Sequence, residues 1–556
     1  MARFDGASPG HRDAVFRVFD FDESRMIRQR ALRIITAVFL LVAAHGTADG
    51  QQLEHRGFMI DMSRMKEVDQ YYFDLVDQLA LFGYNALYLH FSDDQGLTIE
   101  LQAHPELVSD HAMTRATVQR LIRHAAAAGI EIIPEVEAWG HAGWILDHHP
   151  ALADATDTGT LAMGNEAVYA LLDTVIDEVA ALFATSRYIH IGMDEAWFPA
   201  VADTTPELDR QITAHVKRVA DMVRSHGRTP MMWADMITYR HRVLAALPRD
   251  IVMIDWRYWI DETEARTRTL KEAGYTVITA PAIVWYETRV HPGPHNWENL
   301  RRMTAIAHRL ELPGTVVTAW LPQRYPPGVL PHAIAYASYL MEDTAAVTLS
   351  GAMARFTSSF FGSDDPALVS AFVRLAGIES AREDLLATFW TDSATFSARL
   401  TPENRARDVA YLNRTTGLAH DFRSRRRVVQ RHEDDYEAYV VLTELLEFLG
   451  RRRSLPAAVM HAIDAAAEER SRGNAGMAND RLRTMAEEVR ALEAARQTLI
   501  ERLDTHWDRY RYPDHPLKNG GAANSLMWWL KEEAHHTFAN STLIEWLERA
   551  APIGTG

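Results

Sequence analysis

At 556 residues the chain is several times the ~150 of an average domain, so it holds either two to four domains or one large barrel with an appendage. Its 47% hydrophobic and 24% charged residues are those of an ordinary folded protein and exclude a largely disordered or fibrous one. A formal charge of −17 disfavours nucleic acid and anionic membrane surfaces as partners, and the lack of cysteine excludes disulfides, thiolate metal sites and a cysteine nucleophile.

In chain order, residues 1–50 form an N-terminal segment in which Met26 to Arg33 is basic, Ile34 to Ala44 apolar, and His45 to Gly50 small or polar. That order predicts a secretory signal read from Met26, giving a secreted or periplasmic protein; without it the protein is cytoplasmic. The apolar run falls short of the ~20 residues of a membrane span.

Residues 51–350 alternate short β-rich runs with helical patterns. Strands are expected at Gly57–Asp61, Ala86–His90, Ile130–Glu135, Tyr188–Gly192, Pro230–Ala234, Ile251–Asp255, Thr276–Ala280 and Thr315–Ala319. Eight βα units in nearly 290 residues predict an α/β fold, a (β/α)₈ TIM barrel, although the count alone also suits a doubly wound sheet. Residues 351–556 read as an all-α C-terminal domain, with helices expected over Pro366–Leu375, Glu379–Thr388, Pro402–Leu449, Pro456–Arg470 and Ala478–Leu503. Its arginine runs at 425–427 and 451–453 sit among acidic residues, as on a solvated helix face.

In a parallel barrel, catalysis draws on the C-terminal ends of several strands. Here strands one to four end in carboxylates: Asp61, then Asp93-Asp94, then Glu135-Val-Glu137, then Asp194-Glu195. Strands five to eight end at Trp233, Trp256, Trp285-Tyr286 and Trp320. Carboxylates facing aromatic walls suit sugar chemistry, where rings stack on C–H faces and carboxyl groups move protons. Adjacent residues such as Asp194 and Glu195 approach a substrate from one side, giving one acid and one helper. The nucleophile then comes from elsewhere, and a 2-acetamido sugar carries its own carbonyl oxygen.

The runs Arg56-Gly-Phe-Met-Ile-Asp61-Met-Ser-Arg64, His90-Phe-Ser-Asp93-Asp94-Gln95-Gly96, Glu135-Val-Glu137-Ala-Trp-Gly140-His141 and His190-Ile-Gly192-Met-Asp194-Glu195 resemble the β-N-acetylhexosaminidases of glycoside hydrolase family 20. The helical tail is similar to the branch that includes hexosaminidase D. The resemblance implies a retaining, substrate-assisted exo-β-N-acetylhexosaminidase acting on terminal GlcNAc or GalNAc of an oligosaccharide or glycoconjugate.

It further implies Glu195 as general acid and base, and an ionised Asp194 that supports the acetamido nitrogen and helps keep Glu195 protonated. Arg56 is to grip sugar hydroxyls, Trp233, Trp256 and Trp320 to box the acetamido methyl, and Tyr286 to hydrogen-bond its carbonyl. His141 is to pair with Glu137 beside the acid, with His190 and Asp93 supporting the site. No metal or cofactor is expected, and a homodimer is one assembly open to the chain. The chain departs from the family at Gly192-Met193, in place of a double glycine, and at Trp320-Leu-Pro322, in place of Trp-x-Glu, so a gluco or galacto preference is not implied. The alternatives are a two-carboxylate retaining β-glycosidase and a non-catalytic sugar-binding barrel.

Overall fold

The computed structural model describes residues 52–197, 205–260, 263–380, 400–512, 525–531 and 533–550. The expected export segment lies outside them, as does most of the helix expected over Glu379–Thr388. Eight parallel strands form in chain order: β1 (His55–Asp61), β2 (Ala86–His90), β3 (Glu131–Glu135), β4 (Tyr188–His190), β5 (Thr229–Trp233), β6 (Val252–Trp256), β7 (Val277–Ala280) and β8 (Gly314–Ala319). Strand β8 pairs back onto β1, closing a (β/α)₈ barrel.

The strands form where the sequence places uninterrupted apolar runs, because inward and outward residues are both buried. Met59, Tyr88, Ile133, Met231, Ile254, Ile278 and Val316 share one interior cluster, roofed by Trp233, Trp256 and Trp320. Outside, amphipathic helices cover the sheet. In Arg115–Ala127, for example, Val118, Leu121, Ile122 and Ala125 face inward at helical spacing, and the Thr114 side chain accepts the Thr117 N–H at the start.

Register does much to build the site. Asp61 pairs with His90, His90 with Glu135, and Glu135 with His190, so four polar residues line up across the C-terminal ends of β1 to β4. A small sheet of Ser92–Asp93, Gly96–Ile99 and Val108–Met113 rises after β2.

Beyond the barrel the described chain is helical, and from Gly50 onward it forms one compact unit with the barrel. The single stretch expected over Pro402–Leu449 is three helices, Pro402–Thr415, Leu418–Arg425 and Glu433–Ser471. Left-handed backbone at Gly417 and His432 separates them. The third helix runs on through Pro456, where a new helix was expected. This region holds the barrel by polar ties: Trp297 Nε1 donates to Ala376 O at 2.9 Å, and His506 Nε2 lies 2.8 Å from Pro327 O. Among the described residues no helix is long and apolar enough to cross a membrane.

Candidate active site

Asp194 and Glu195 follow β4 in a turn of unusual backbone. Gly192, Met193 and Glu195 have φ of 63°, 79° and 44°, and facing them across the mouth His141 and Leu321 have 47° and 57°. Met193 therefore holds, with a full side chain, the left-handed conformation that glycine prefers. Non-glycine residues in this region store strain and cluster at working sites. The segment carrying His141 closes on this turn through Gly140, where a Cβ would come within 2.0 Å of Asp194 O.

The carboxylates are organised around three basic side chains, His90 buried and Arg64 and His141 partly buried. His90 bridges two of them, with Nδ1 2.7 Å from Glu135 Oε2 and Nε2 3.2 Å from Asp93 Oδ2. Burial works against its charge, but Glu135 and Asp93 outweigh burial and raise its pKa to about 10. Arg64 reaches from just past β1 to Asp61 at 3.1 Å and Asp93 at 2.7 Å, with its guanidinium 5.4 Å from the centre of the Trp320 ring. His141 places Nδ1 3.0 Å from Asp94 Oδ2 and Nε2 3.3 Å from Glu195 Oε2, with Asp194 Oδ2 at 3.8 Å. Burial opposes its protonation too, yet Asp93, Asp94 and Glu195 hold its pKa well above that of a free imidazole.

Burial, with Asp235, Glu135 and Glu195 adding to it, pushes Asp194 up to about 7 against the pull of His141. Burial acts in the same sense on Glu195, but its hydrogen bond to His141 prevails and lowers it below the usual carboxylate range. In the free protein the surroundings thus favour a neutral Asp194 and an ionised Glu195, whereas the roles expected of the two ask for the opposite.

Three residues stand elsewhere than expected. Arg56 lies at the start of β1, at the opposite end of the barrel, and its guanidinium donates to Gly83 O at 2.7 Å and Leu53 O at 2.8 Å. Arg64 instead stands just past the C-terminal end of β1, between Asp61 and Asp93. Tyr286 sits on the rim, 54% exposed, over Arg324. Tyr258 reaches the aromatic wall instead, accepting from Trp320 Nε1 at 2.7 Å and packing 5.1 Å from Trp256 and 5.4 Å from Trp285. Glu137 makes no ion pair with His141; it is buried against Gly192, and its Oε1 is 3.9 Å from His90 Nδ1.

The other expected residues converge on the mouth. Trp233 donates to Glu135 Oε1 at 2.7 Å and packs 6.0 Å from Trp320, which stands edge-on to His90 at 4.9 Å. His190 Nδ1 is 3.0 Å from Glu135 Oε1. Besides Arg64 and Tyr258, the sequence reading passed over Asp235, whose Oδ2 accepts the Glu195 N–H at 3.2 Å. Its position two residues past Trp233 was the available signal. His90, Glu135 and Glu137, and likewise Asp93, Asp94 and His141, bring potential metal-ligand atoms within 4.8 Å of one another. Their histidine nitrogens are already engaged in the ion pairs above.

Residues 53–312 match the family model for the glycosyl hydrolase family 20 catalytic domain. A beta-hexosaminidase of Vibrio furnissii is 29% identical over 296 residues, 44% of this chain and 46% of its own length. Beta-hexosaminidase 1 of Coccidioides posadasii is 26% identical over 267 residues, 42% of this chain and 44% of its own. The chain thus spans less than half the length of these curated relatives. The solved structure of Flavobacterium johnsoniae chitobiase is 18% identical, with a TM-score of 0.47 over 74% of this chain and 72% of that one. The matched segment runs from just before β1 to just before β8 and contains the four motifs of β1 to β4 gathered at one mouth, so this part of the chain is similar to the catalytic domain of glycosyl hydrolase family 20.

Proposed function

We propose that the protein is a retaining exo-β-N-acetylhexosaminidase that removes terminal 2-acetamido sugars with the help of the substrate's own acetamido group. The observation that carries this reading is how the mouth's carboxylates are committed. Asp93 is tied to Arg64 and His90, Glu135 to His90, His190 and Trp233, and Asp235 to the Glu195 backbone, while Glu137 is packed on Gly192. Asp61 is held by Arg64 and Asp94 by His141, which also meets Glu195; Asp194 and Glu195 themselves stand as chain neighbours on one side of the pocket, not as a pair ~5–5.5 Å apart flanking the sugar as in a two-carboxylate retaining enzyme.

In the proposed sequence the acetamido oxygen attacks the anomeric carbon, the glycosidic bond breaks, and the Glu195 proton passes to the leaving oxygen. The bicyclic intermediate carries its positive charge towards nitrogen, where an ionised Asp194 supports it. Water then adds to the same carbon, gives a proton to Glu195 and reopens the ring, so configuration is retained. Tyr258, whose oxygen accepts from Trp320, keeps its own proton to orient the acetamido oxygen. Trp233, Trp256 and Trp320 form the apolar box for the acetamido methyl.

The test is a panel of paired aryl glycosides with and without the 2-acetamido group. Hydrolysis confined to the acetamido members, with a thiazoline mimic of the intermediate binding far more tightly than substrate, supports the reading. Turnover of plain glucosides, with a fluorosugar trapped on an Asp or Glu, would reject it. We also propose export, on the basic-then-apolar order from Met26 to Ala44. Terminal sequencing of the native protein tests that, and a cytoplasmic protein that retains this segment would overturn it.

A further inference from the structure

The helix Ala265–Glu272, which follows β6, places one guanidinium against the aromatic wall. The Arg266 side chain is 10% exposed, with Nε 2.8 Å from Asp255 Oδ1 and Nη2 donating to Trp256 O at 3.2 Å. Its guanidinium lies 5.8 Å from the centre of the Trp256 ring, so contacts on two sides fix its direction. Asp255 does not depend on Arg266 alone. It also meets Arg257 Nη2 at 3.1 Å and accepts the Thr267 hydroxyl at 2.6 Å.

The same guanidinium faces Asp235, the residue whose Oδ2 accepts the Glu195 N–H at 3.2 Å. Burial raises the pKa of Asp235, and Arg266 is the foremost group opposing that rise; the Glu195 N–H and the Trp256 indole assist it, and the Glu195 carboxylate works against it. Among the described residues the other charged groups beside Asp235 are Glu195 and Asp194, both carboxyl groups, which cannot take the place of the cation. A backbone N–H is held more firmly by a carboxylate than by a neutral acid. Glu195 needs that hold, because its own backbone is left-handed at φ 44°.

Arg266 meets neither Asp194 nor Glu195 by a hydrogen bond or ion pair, and it stands beside a cleft of about 280 Å³ lined by Thr238, His241, Thr263 and Thr269. The cleft gives small solutes a way to the guanidinium that avoids the catalytic mouth.

We propose that Arg266 is a positioning residue for the acid, acting through Asp235 on the backbone of Glu195. This rests on the hexosaminidase reading above, which makes Glu195 the acid, and adds to it a residue that touches no substrate.

The test uses the whole protein with Arg266→Ala, Arg266→Lys, Asp235→Asn and the double variant of Arg266→Ala with Asp235→Asn. On an aryl β-glycoside of GlcNAc, Arg266→Ala should lose about tenfold to a hundredfold in kcat, the scale of a misplaced catalytic group, with a smaller change in KM. Arg266→Lys keeps the charge and should retain most of the turnover. Asp235→Asn should lose as much as Arg266→Ala, and the double variant no more than either, because both changes break one charged link. Ethylguanidinium at millimolar concentration should restore turnover to Arg266→Ala through the cleft, but not to the double variant. Losses that add in the double variant, or a lysine variant as slow as the alanine one, would make Arg266 a packing residue and overturn the proposal.

A second readout needs no substrate. A carboxyl group quenches a neighbouring indole differently in its two protonation states, so the emission of Trp256, identified by its loss in Trp256→Phe, titrates with Asp235. Removing the cation favours the neutral acid, so Arg266→Ala should move that midpoint to higher pH, whereas Arg266→Lys should leave it in place. An unmoved midpoint in Arg266→Ala would overturn the link. A moved midpoint in a protein that hydrolyses no 2-acetamido glycoside would keep the link and reject the hexosaminidase reading.

Discussion

The carboxyl group of Glu137 rests on the α-carbon of Gly192: a Cβ there would come within 1.9 Å of Glu137 Oε2. Glu137 is wholly buried, and neither carboxyl oxygen has a hydrogen-bond partner among the described residues. Burial first, then Asp194 and Glu135, raise its pKa well above the carboxylate range against the pull of His141, which favours its neutral form beneath the turn of Asp194 and Glu195.

Replacing Gly192 with alanine combines that collision with a left-handed φ, which alone costs ~1–3 kcal/mol. Gly192→Ala should lower the unfolding free energy and reduce turnover by displacing Asp194 and Glu195. Glu137→Gln, a near-isostere of the neutral acid, should keep most of both. Thermal unfolding and kcat measured side by side on the two variants check this. A Glu137→Gln protein as damaged as Gly192→Ala would show that Glu137 acts through its charge.

The proton order of Asp194 and Glu195 makes a pH prediction. Between the lowered value of Glu195 and the value of about 7 for Asp194, the pair holds one proton. Catalysis needs that one-proton state with the proton on Glu195, and the two groups titrate as a unit. Above about pH 7 the proton is lost and no donor remains; below the lower value both are protonated and Asp194 has no charge to offer the intermediate. The profile of kcat/KM, which reports the free enzyme, should therefore be bell-shaped with its descending limb near 7. Asp194→Asn should lower turnover and shift that limb to lower pH, toward Glu195's own value. A limb that stays in place in the variant would contradict the assignment.

Arg64, and not Arg56, is expected to bind the sugar. Arg64→Lys loses the planar fork that spans Asp61 and Asp93 and should reduce kcat/KM by about tenfold to a hundredfold. Arg56→Ala frees only backbone carbonyls at the far end of β1, costing ~1 kcal/mol of stability with kcat/KM unchanged. Steady-state kinetics on the two purified variants decides between them.

The barrel was legible because parallel strands buried on both faces leave short apolar runs, and the expected ends of all eight fall within two residues of those observed. The one strand that stops clearly early is β4, at His190 and not Gly192, because the left-handed turn lifts the next residues out of the sheet. Arg56 was misplaced although its signal was present: a residue that opens a parallel strand lies at the end away from catalysis. The pairing of Glu137 with His141 was implied by the resemblance alone; in the structure Glu137 packs on Gly192 and His141 turns to Asp94 and Glu195. Tyr258 and Asp235 escaped notice because their roles arise from contacts between neighbouring loops. In the helical region, Gly417 marks a turn by its residue type, but His432 adopts left-handed backbone with no sequence cue.

The helical region also supports the site directly, through Arg511 at the end of the helix Ala475–Tyr510. Its guanidinium is buried, 3.2 Å from Glu67 Oε1, and donates to Tyr325 O at 2.9 Å, with Trp507 stacked 4.1 Å away. Glu67 lies three residues past Arg64, and Tyr325 five past Trp320, so one side chain clamps the two loops that carry Arg64 and the aromatic wall. Burial already raises the pKa of Glu67, with Arg511 opposing. Arg511→Met therefore strands a buried carboxyl group, a change that typically costs ~3–5 kcal/mol. Because the loops move and the acid does not, KM should rise more than kcat falls. Adding Glu67→Gln removes the stranded charge and should recover much of the stability, while KM stays raised because the link to Tyr325 is still missing. Unfolding curves together with kcat and KM for the single and double variants test this. Recovery of both stability and KM in the double variant would show that the ion pair is a packing feature without influence on the pocket.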